Sequence, residues 1–169
     1  MSLRIASIRK MDISNGEGVG VSIFTQGCPF HCKGCFNPDT WNYDGGTVWS
    51  DEKEKEVLSL IAKPHITRLS LLGGEPLLLK NVKELRALLE KAFQIKPDLK
   101  VWAWTGTTLE YKCHEAKTNA DLQWILKHLY RLIDGPFQQE NKDVSLKYCG
   151  STNQRVLTAD DISRRLRDV

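Results

Sequence analysis

Two rhythms of apolar residues alternate along the chain. Short stretches such as Val19-Gly20-Val21-Ser22-Ile23-Phe24 and Ile66-Thr67-Arg68-Leu69-Ser70-Leu71-Leu72 are β-branched-rich and bounded by turn residues, which predicts strands. Leu3 to Ile8 is expected to pair with the first of these through the turn signal at Asn15-Gly16. Leu99 to Trp104, Tyr130 to Asp134 and Arg155-Val156-Leu157 supply further strands. Between them run helical patterns. Ser50 is positioned to cap a helix from Asp51 to about Ala62, with Val57, Leu58 and Ile61 on one face. Asn81 is expected to cap a second helix carrying Val82, Leu85, Leu88, Leu89 and Ala92. The region from Thr108 to His128 reads as mainly helical, and Thr158 with Asp161 forms a capping box for a closing helix.

Strand and helix taking turns predicts an α/β fold built from parallel units. The 169 residues fall short of the ~250 typical of a closed eight-unit barrel, so an open partial (β/α) barrel of about five or six mostly parallel strands is expected, as a single domain over 1–169. Four motifs each follow a predicted strand: a cysteine loop, Gly73-Gly74-Glu75-Pro76, Trp104-Thr105-Gly106 and Asp134-Gly135-Pro136-Phe137. In such folds ligands gather at the carboxyl ends of the strands, so all four belong on one rim.

Composition changes this picture little. A net charge of +3 is too mild to argue for nucleic acid, and Arg164, Arg165 and Arg167 read as the solvated last turn of a helix. No apolar run approaches the ~20 residues of a membrane span, and the first residues lack the apolar core of a secretory signal. A cytoplasmic protein with reduced thiols is the expectation. Clustered cysteines there point to metal or redox chemistry rather than disulfides.

Three of the five cysteines, Cys28, Cys32 and Cys35, lie in one loop with the spacing C-x₃-C-x₂-C. Zinc would need Cys28, His31, Cys32 and Cys35 as a Cys₃His set, but the adjacent His31 and Cys32 would have to turn inward together, and no second cysteine pair follows. Electron-carrier clusters use four thiolates at other spacings. A 4Fe–4S cube held by three thiolates would keep one iron open, as catalytic metal sites do.

C-x₃-C-x₂-C followed by G-G-E-P at the end of the next strand resembles the signature of radical S-adenosylmethionine (SAM) enzymes. Cys35 to Trp41, C-F-N-P-D-T-W, resembles the corresponding segment of glycyl-radical activating enzymes. Within that group N-G-E-G near Asn15, L-L-G-G-E-P-L, V-W-A-W-T-G, I-D-G-P-F and G-S-T-N-Q-R-V extend the similarity to activators of anaerobic ribonucleoside-triphosphate reductase. Gly34 departs from the aromatic residue often found before the third cysteine of the superfamily.

The resemblance implies a radical-SAM-type partial barrel whose Cys28, Cys32 and Cys35 ligate three irons of a 4Fe–4S cluster, with SAM on the fourth. It implies reductive cleavage of SAM and abstraction of a glycine Cα hydrogen from the glycyl-radical subunit of the reductase. Cofactor contacts are then expected from Gly73, Gly74, Glu75, Asn37, Thr105 and Asp134. No catalytic residue is expected beyond cluster and cofactor, and a small electron donor such as flavodoxin is expected as a second partner. Trp41 is read either as shaping the pocket or as pinning the loop, His31 as a loop-packing residue, and Cys113 and Cys149 as lone thiols. The Gly150–Arg155 segment is expected to meet cofactor or partner. A small radical SAM enzyme acting on a low-molecular-weight substrate, such as a deazapurine carboxylate synthase, is the alternative, and a zinc-stabilised binding module is a third class.

Overall fold

A computed structural model describes residues 2–168. Its strands are β1 (Arg4–Asp12), β2 (Gly20–Thr25), β3 (Thr47–Val48), β4 (Arg68–Gly73), β5 (Lys100–Trp104), β6 (Arg131–Asp134) and β7 (Arg155–Thr158). Five helices accompany them: α1 (Asp51–Ile61), α2 (Leu79–Ile95), α3 (Leu109–Ala116), α4 (Ala120–Lys127) and α5 (Ala159–Arg167).

The strands form one open, mixed sheet of seven in the order β3-β1-β2-β4-β5-β6-β7. This corrects the expected five or six mostly parallel strands. β2, β4, β5 and β6 are parallel neighbours, whereas β1, β3 and β7 join antiparallel. Connection length explains the difference. Segment 13–19 is too short for the crossover of a dozen or more residues that a parallel pair needs, so β1 and β2 close as a hairpin. β3, two exposed residues after Gly45-Gly46, carries no apolar signature at all.

Side chains alternate across the sheet. Val21, Ile23, Leu69, Leu71, Val101, Ala103 and Leu132 face the core, where they meet Val57, Leu85, Leu88, Leu89, Leu122 and Ile125 of the helices. Each such side chain contributes about 1.5–3 kcal/mol on full burial. Ser50 accepts from Lys53 N–H (3.3 Å) at the start of α1, and Thr158 and Asp161 complete the capping box of α5. The mainly helical stretch from Thr108 to His128 holds two helices, because Thr108 caps α3 and Asn119 caps α4. Asn81 is not a cap. α2 begins at Leu79, and the fully buried Asn81 side chain donates back to the carbonyls of Glu75 and Pro76, both at 3.2 Å.

The opposite sheet face carries Ser22, Phe24, Arg68, Ser70, Leu72, Trp102 and Trp104. Arg68 is fully buried there. Its guanidinium donates to Ser70 Oγ (2.5 Å), to the Glu17 carbonyl (3.2 Å) and to the Asp12 carbonyl, while Ser22 Oγ donates to Asp12 Oδ2 (2.5 Å). Burial alone would raise the Asp12 carboxyl. Hydrogen bonds from Ser22, Ser14 N–H and Asn15, with the Arg68 charge, hold it below its ordinary value. This polar network ties the β1–β2 turn across the sheet face.

Candidate functional site

Because β2, β4, β5 and β6 are parallel, the segments leaving their carboxyl ends meet on one edge of the sheet. The cysteine loop leaves β2 there and is fastened at both ends. Gly27 N–H donates to the Thr40 carbonyl (2.7 Å) and Cys28 N–H to the Trp41 carbonyl (3.2 Å). The Gln26 side chain, 2% exposed, donates to the carbonyls of Asp39 (3.0 Å) and Asn42 (2.7 Å). A 3₁₀ turn, Pro38–Thr40, brings the chain back.

The G-G-E-P turn is stitched to this frame. Gly74 N–H donates to the Thr25 carbonyl and Glu75 N–H to the Gly27 carbonyl, each at 2.9 Å. Glycine is required at both positions. A Cβ on Gly73 (φ +104°) would come within 2.6 Å of Thr25 N, and one on Gly74 within 2.4 Å of Gly27 O. These contacts are backbone on backbone, so neither neighbour can yield by turning a side chain.

A cleft of about 140 Å³ opens at this frame, lined by Cys28, Cys32 and Cys35 together with Gly73, Gly74, Glu75, Thr105, Gly106 and Gly135. Phe30, Phe36, Leu72 and Phe137 supply apolar surface. Phe36, Asn37, Leu72, Trp104, Phe137 and Gln154 also line an adjoining outer lobe of about 460 Å³. The outer lobe alone falls in the range of small-molecule sites, roughly 300–1,000 Å³.

Glu75 is 1% exposed, and its carboxylate accepts from Leu77 N–H (3.1 Å) on one oxygen and from Gly106 N–H (2.7 Å) and Thr105 Oγ1 (3.0 Å) on the other. Burial pushes its carboxyl up, and the charge of Lys112 opposes that shift more than any single hydrogen bond does. Burial likewise raises the Cys28 thiol, opposed by the backbone N–H groups of Phe30 and His31, with Glu75 nearby raising it further. Asn37 N–H donates to Cys35 Sγ (3.3 Å). Among the described residues, no three His, Cys, Asp or Glu side chains lie close enough together to hold one metal ion, although the three cysteines all line the cleft.

The structure therefore brings Cys28, Cys32, Cys35, Asn37, Gly73, Gly74, Glu75 and Thr105 together at one cleft. Asp134 is elsewhere. Its carboxylate, 1% exposed, accepts from Leu109 N–H (2.7 Å) at the start of α3 and from Arg155 Nε (3.0 Å) and Nη2 (2.5 Å), while the next residue, Gly135, reaches the cleft. His31 stacks on Trp41 (4.6 Å between ring centres, 14° between planes) and is not among the lining residues. Cys113 is buried in the core, and Cys149 lines the outer lobe. Within Gly150–Arg155, Gln154 Oε1 accepts from Gly150 N–H (2.8 Å) while its Nε2 donates to the Gly135 carbonyl (2.9 Å), which fixes the far wall.

Lining residues to which the sequence assigned no individual role are chiefly apolar: Phe30, Phe36, Leu72 and Phe137. Membership of a motif is the only signal for Phe36, Leu72 and Phe137, and Phe30 has only its place in the cysteine loop. Lys112 was equally silent. It is 3% exposed on α3, donating to the Leu77 carbonyl and Glu115 Oε2, both at 2.9 Å.

No helix among the described residues is long and apolar enough to cross a membrane. Residues 14–157, which contain every motif of the cleft, match the family model described as a 4Fe-4S single cluster domain. The chain is 36% identical over 147 residues to the anaerobic ribonucleoside-triphosphate reductase-activating protein of Pasteurella multocida, covering 86% of this chain and 90% of that one. The protein of that name from Escherichia coli K12 is 34% identical over 148 residues (86% and 92%), and that of Enterobacteria phage T4 is 34% identical over 150 (89% and 90%). With identity at this level running the length of the fold and through the cysteine loop, the chain belongs to the family of anaerobic ribonucleoside-triphosphate reductase-activating proteins.

Proposed function

We propose that this chain is a radical SAM activase that installs the glycyl radical on an anaerobic ribonucleoside-triphosphate reductase, using its open sheet as a radical-SAM-type partial barrel. One observation carries the reading: in a member of this family, the three cysteines and the strand-end motifs line one cleft. The donor chemistry fits a three-thiolate 4Fe–4S cluster. Backbone N–H groups face Cys28 and Cys35, so donors to ligand sulfur are already in place. Cys28, Cys32 and Cys35 would hold three irons, leaving one for the amino and carboxylate groups of SAM. Bound there, the reduced cluster and SAM would supply homolysis of the sulfur–5′-carbon bond and a radical able to take hydrogen from a glycine Cα.

The chain's own residues orient and shield. Glu75 has three of its roughly four acceptor sites occupied by Leu77, Gly106 and Thr105, which leaves one lone pair for the ammonium of SAM. Thr105 acts through Glu75, and Gly73 and Gly74 hold that carboxylate at a fixed offset from the cysteine loop. Asn37, on the rim shared by both lobes, would contact the nucleoside part. Phe30, Phe36 and Phe137 limit water, which would otherwise open side reactions. Asp134 would support the site through α3 and Arg155 rather than by contact.

Anaerobically reconstituted protein, reduced and mixed with SAM, should release 5′-deoxyadenosine, and adding the reductase should produce a glycyl-radical resonance on the reductase. Neither product from protein with a full complement of iron would refute the assignment. Release only with a small molecule, and never with the reductase, would favour the alternative substrate class.

A further inference from the structure

Trp41 carries an unexplained polar atom. Its indole N–H is buried and has no hydrogen-bond partner, a state that is destabilising and uncommon in native proteins. Local packing does not account for it. The ring is stacked on His31, which sits between the first two cysteines, and the Trp41 carbonyl receives Cys28 N–H. The indole therefore lies against the cysteine loop itself.

The carbonyls of the returning segment around Trp41 in the chain already serve other donors. Asn37 O takes Thr40 N–H and Oγ1–H, Pro38 O takes Trp41 N–H, Asp39 O and Asn42 O take the Gln26 side chain, and Thr40 O takes Gly27 N–H. Among the loop's sulfurs, Cys28 and Cys35 face backbone N–H groups, whereas no donor to Cys32 Sγ is present among the described residues. An indole N–H is a donor only, so it has no internal way to satisfy itself.

We propose that the Trp41 indole N–H is a donor to the iron–sulfur site, hydrogen-bonding a sulfur at Cys32 or of the cluster once the site is loaded. The assignment rests on the cluster reading above. Trp41 is then a positioning and tuning residue: a donor to sulfur stabilises the added electron of the reduced cluster and raises its potential. The apo chain keeps the N–H enclosed and unpaired, and loading supplies the missing acceptor.

The test uses loaded protein grown with tryptophan labelled with ¹⁵N in the indole. Pulsed paramagnetic resonance on the reduced cluster should show an indole ¹⁵N coupling that disappears in Trp41→Phe, which keeps a ring for His31 to stack on. At a fixed poise, the ratio of reduced to oxidised cluster in Trp41→Phe should fall about threefold, roughly 30 mV for a one-electron couple at 59 mV per tenfold. Trp102→Phe removes the other unpartnered buried indole N–H and should change neither readout. A loaded cluster that responds to SAM but shows no indole coupling, a coupling that survives in Trp41→Phe, or an equal shift in Trp102→Phe would each overturn the Trp41 assignment alone. A chain that takes up no cluster would overturn both readings.

Discussion

Three glycines at the strand ends permit a separation of two costs that normally travel together. Gly74→Ala adds only overlap: its φ is ordinary, and the new Cβ would meet Gly27 O at 2.4 Å and Thr40 O at 3.1 Å. Gly135→Ala adds only conformational strain, since φ is +100° but the nearest atom lies at 3.6 Å. Gly73→Ala adds both, with φ +104° and Thr25 N at 2.6 Å. Left-handed backbone costs a non-glycine residue about 1–2 kcal/mol, and overpacking against unyielding backbone about 1–3 kcal/mol. The expected losses are therefore about 1–2 kcal/mol for Gly135→Ala, about 1–3 for Gly74→Ala and about 2–5 for Gly73→Ala. For a domain of this size each kcal/mol lowers the melting temperature by roughly 2–4 °C. Thermal unfolding of the three apo variants, followed by circular dichroism, measures the ordering directly. The steric part should also displace the cysteine loop, because the obstructing atoms belong to Thr25, Gly27 and Thr40, which frame it. Iron uptake should accordingly fall in Gly73→Ala and Gly74→Ala and hold in Gly135→Ala. Equal melting temperatures for Gly73→Ala and Gly135→Ala would refute the idea that the G-G-E-P turn is packed backbone to backbone against the loop.

Other outcomes follow from single side chains. Replacing Cys28, Cys32 or Cys35 by Ala should abolish the brown colour and bound sulfide on reconstitution, whereas Cys113→Ala, in the core, should load iron normally; retention of a full cluster by any loop variant would exclude that thiol as a ligand. Glu75→Gln places an amide NH₂ against the N–H of Leu77 or Gly106, and SAM affinity measured by titration of the cluster signal should weaken at least tenfold, about 1.4 kcal/mol. The Asp12 carboxyl is held low in the folded chain, so its contribution is fully present above its unfolded value and is lost as pH falls through the folded one, below about pH 4. Urea midpoints for wild type and Asp12→Asn should hence differ at pH 7 and converge in that acid window; a constant difference would mean that the carboxylate charge is immaterial. Asp134→Asn weakens the acceptor for Arg155 and for the start of α3, and a stability loss of about 1.5–3 kcal/mol is expected by chemical denaturation.

What the sequence disclosed, and what it withheld, divides along the range of the interactions involved. The strands from Val19 and Ile66 announce themselves through β-branched residues and bounding turns, and Ser50 and Thr158 through capping chemistry that acts within four residues. The three cysteines stand out because their spacing is itself a local pattern. Asn81 misled because a cap and a residue reaching back to a preceding turn look alike in one dimension; only the buried carbonyls of Glu75 and Pro76 distinguish them. Asp134 is ambiguous for a related reason. A carboxylate at a strand's end on the ligand rim is equally suited to a ligand and to the first N–H of the next helix, and its observed partners are Leu109 N–H and Arg155, which arrives from β7. Arg68 gave a signal that went unread: a charged residue alternating with Ser70 inside an apolar strand implies a polar sheet face with its own partners.

That polar face and the fastened loop have a shared consequence. The ends of the cysteine loop are held to β2 and to the G-G-E-P turn by backbone bonds, and the turn is held to β5 through Glu75, Thr105 and Gly106. The tip between Pro29 and Asn37 is different. Its bonds stay within the loop: Phe30 and His31 N–H face Cys28 Sγ, Cys35 N–H donates to the Cys32 carbonyl and Asn37 N–H to Cys35 Sγ, with His31 held at a positive φ of 46°. A rigid base with a lightly bonded tip is the arrangement expected where a large inorganic group must be admitted and then gripped, because loading can reshape the tip without altering the offset between Cys28 and Glu75. On the proposed reading, placement of a cofactor relative to the cluster would be set by the β-sheet rather than by the cysteine loop.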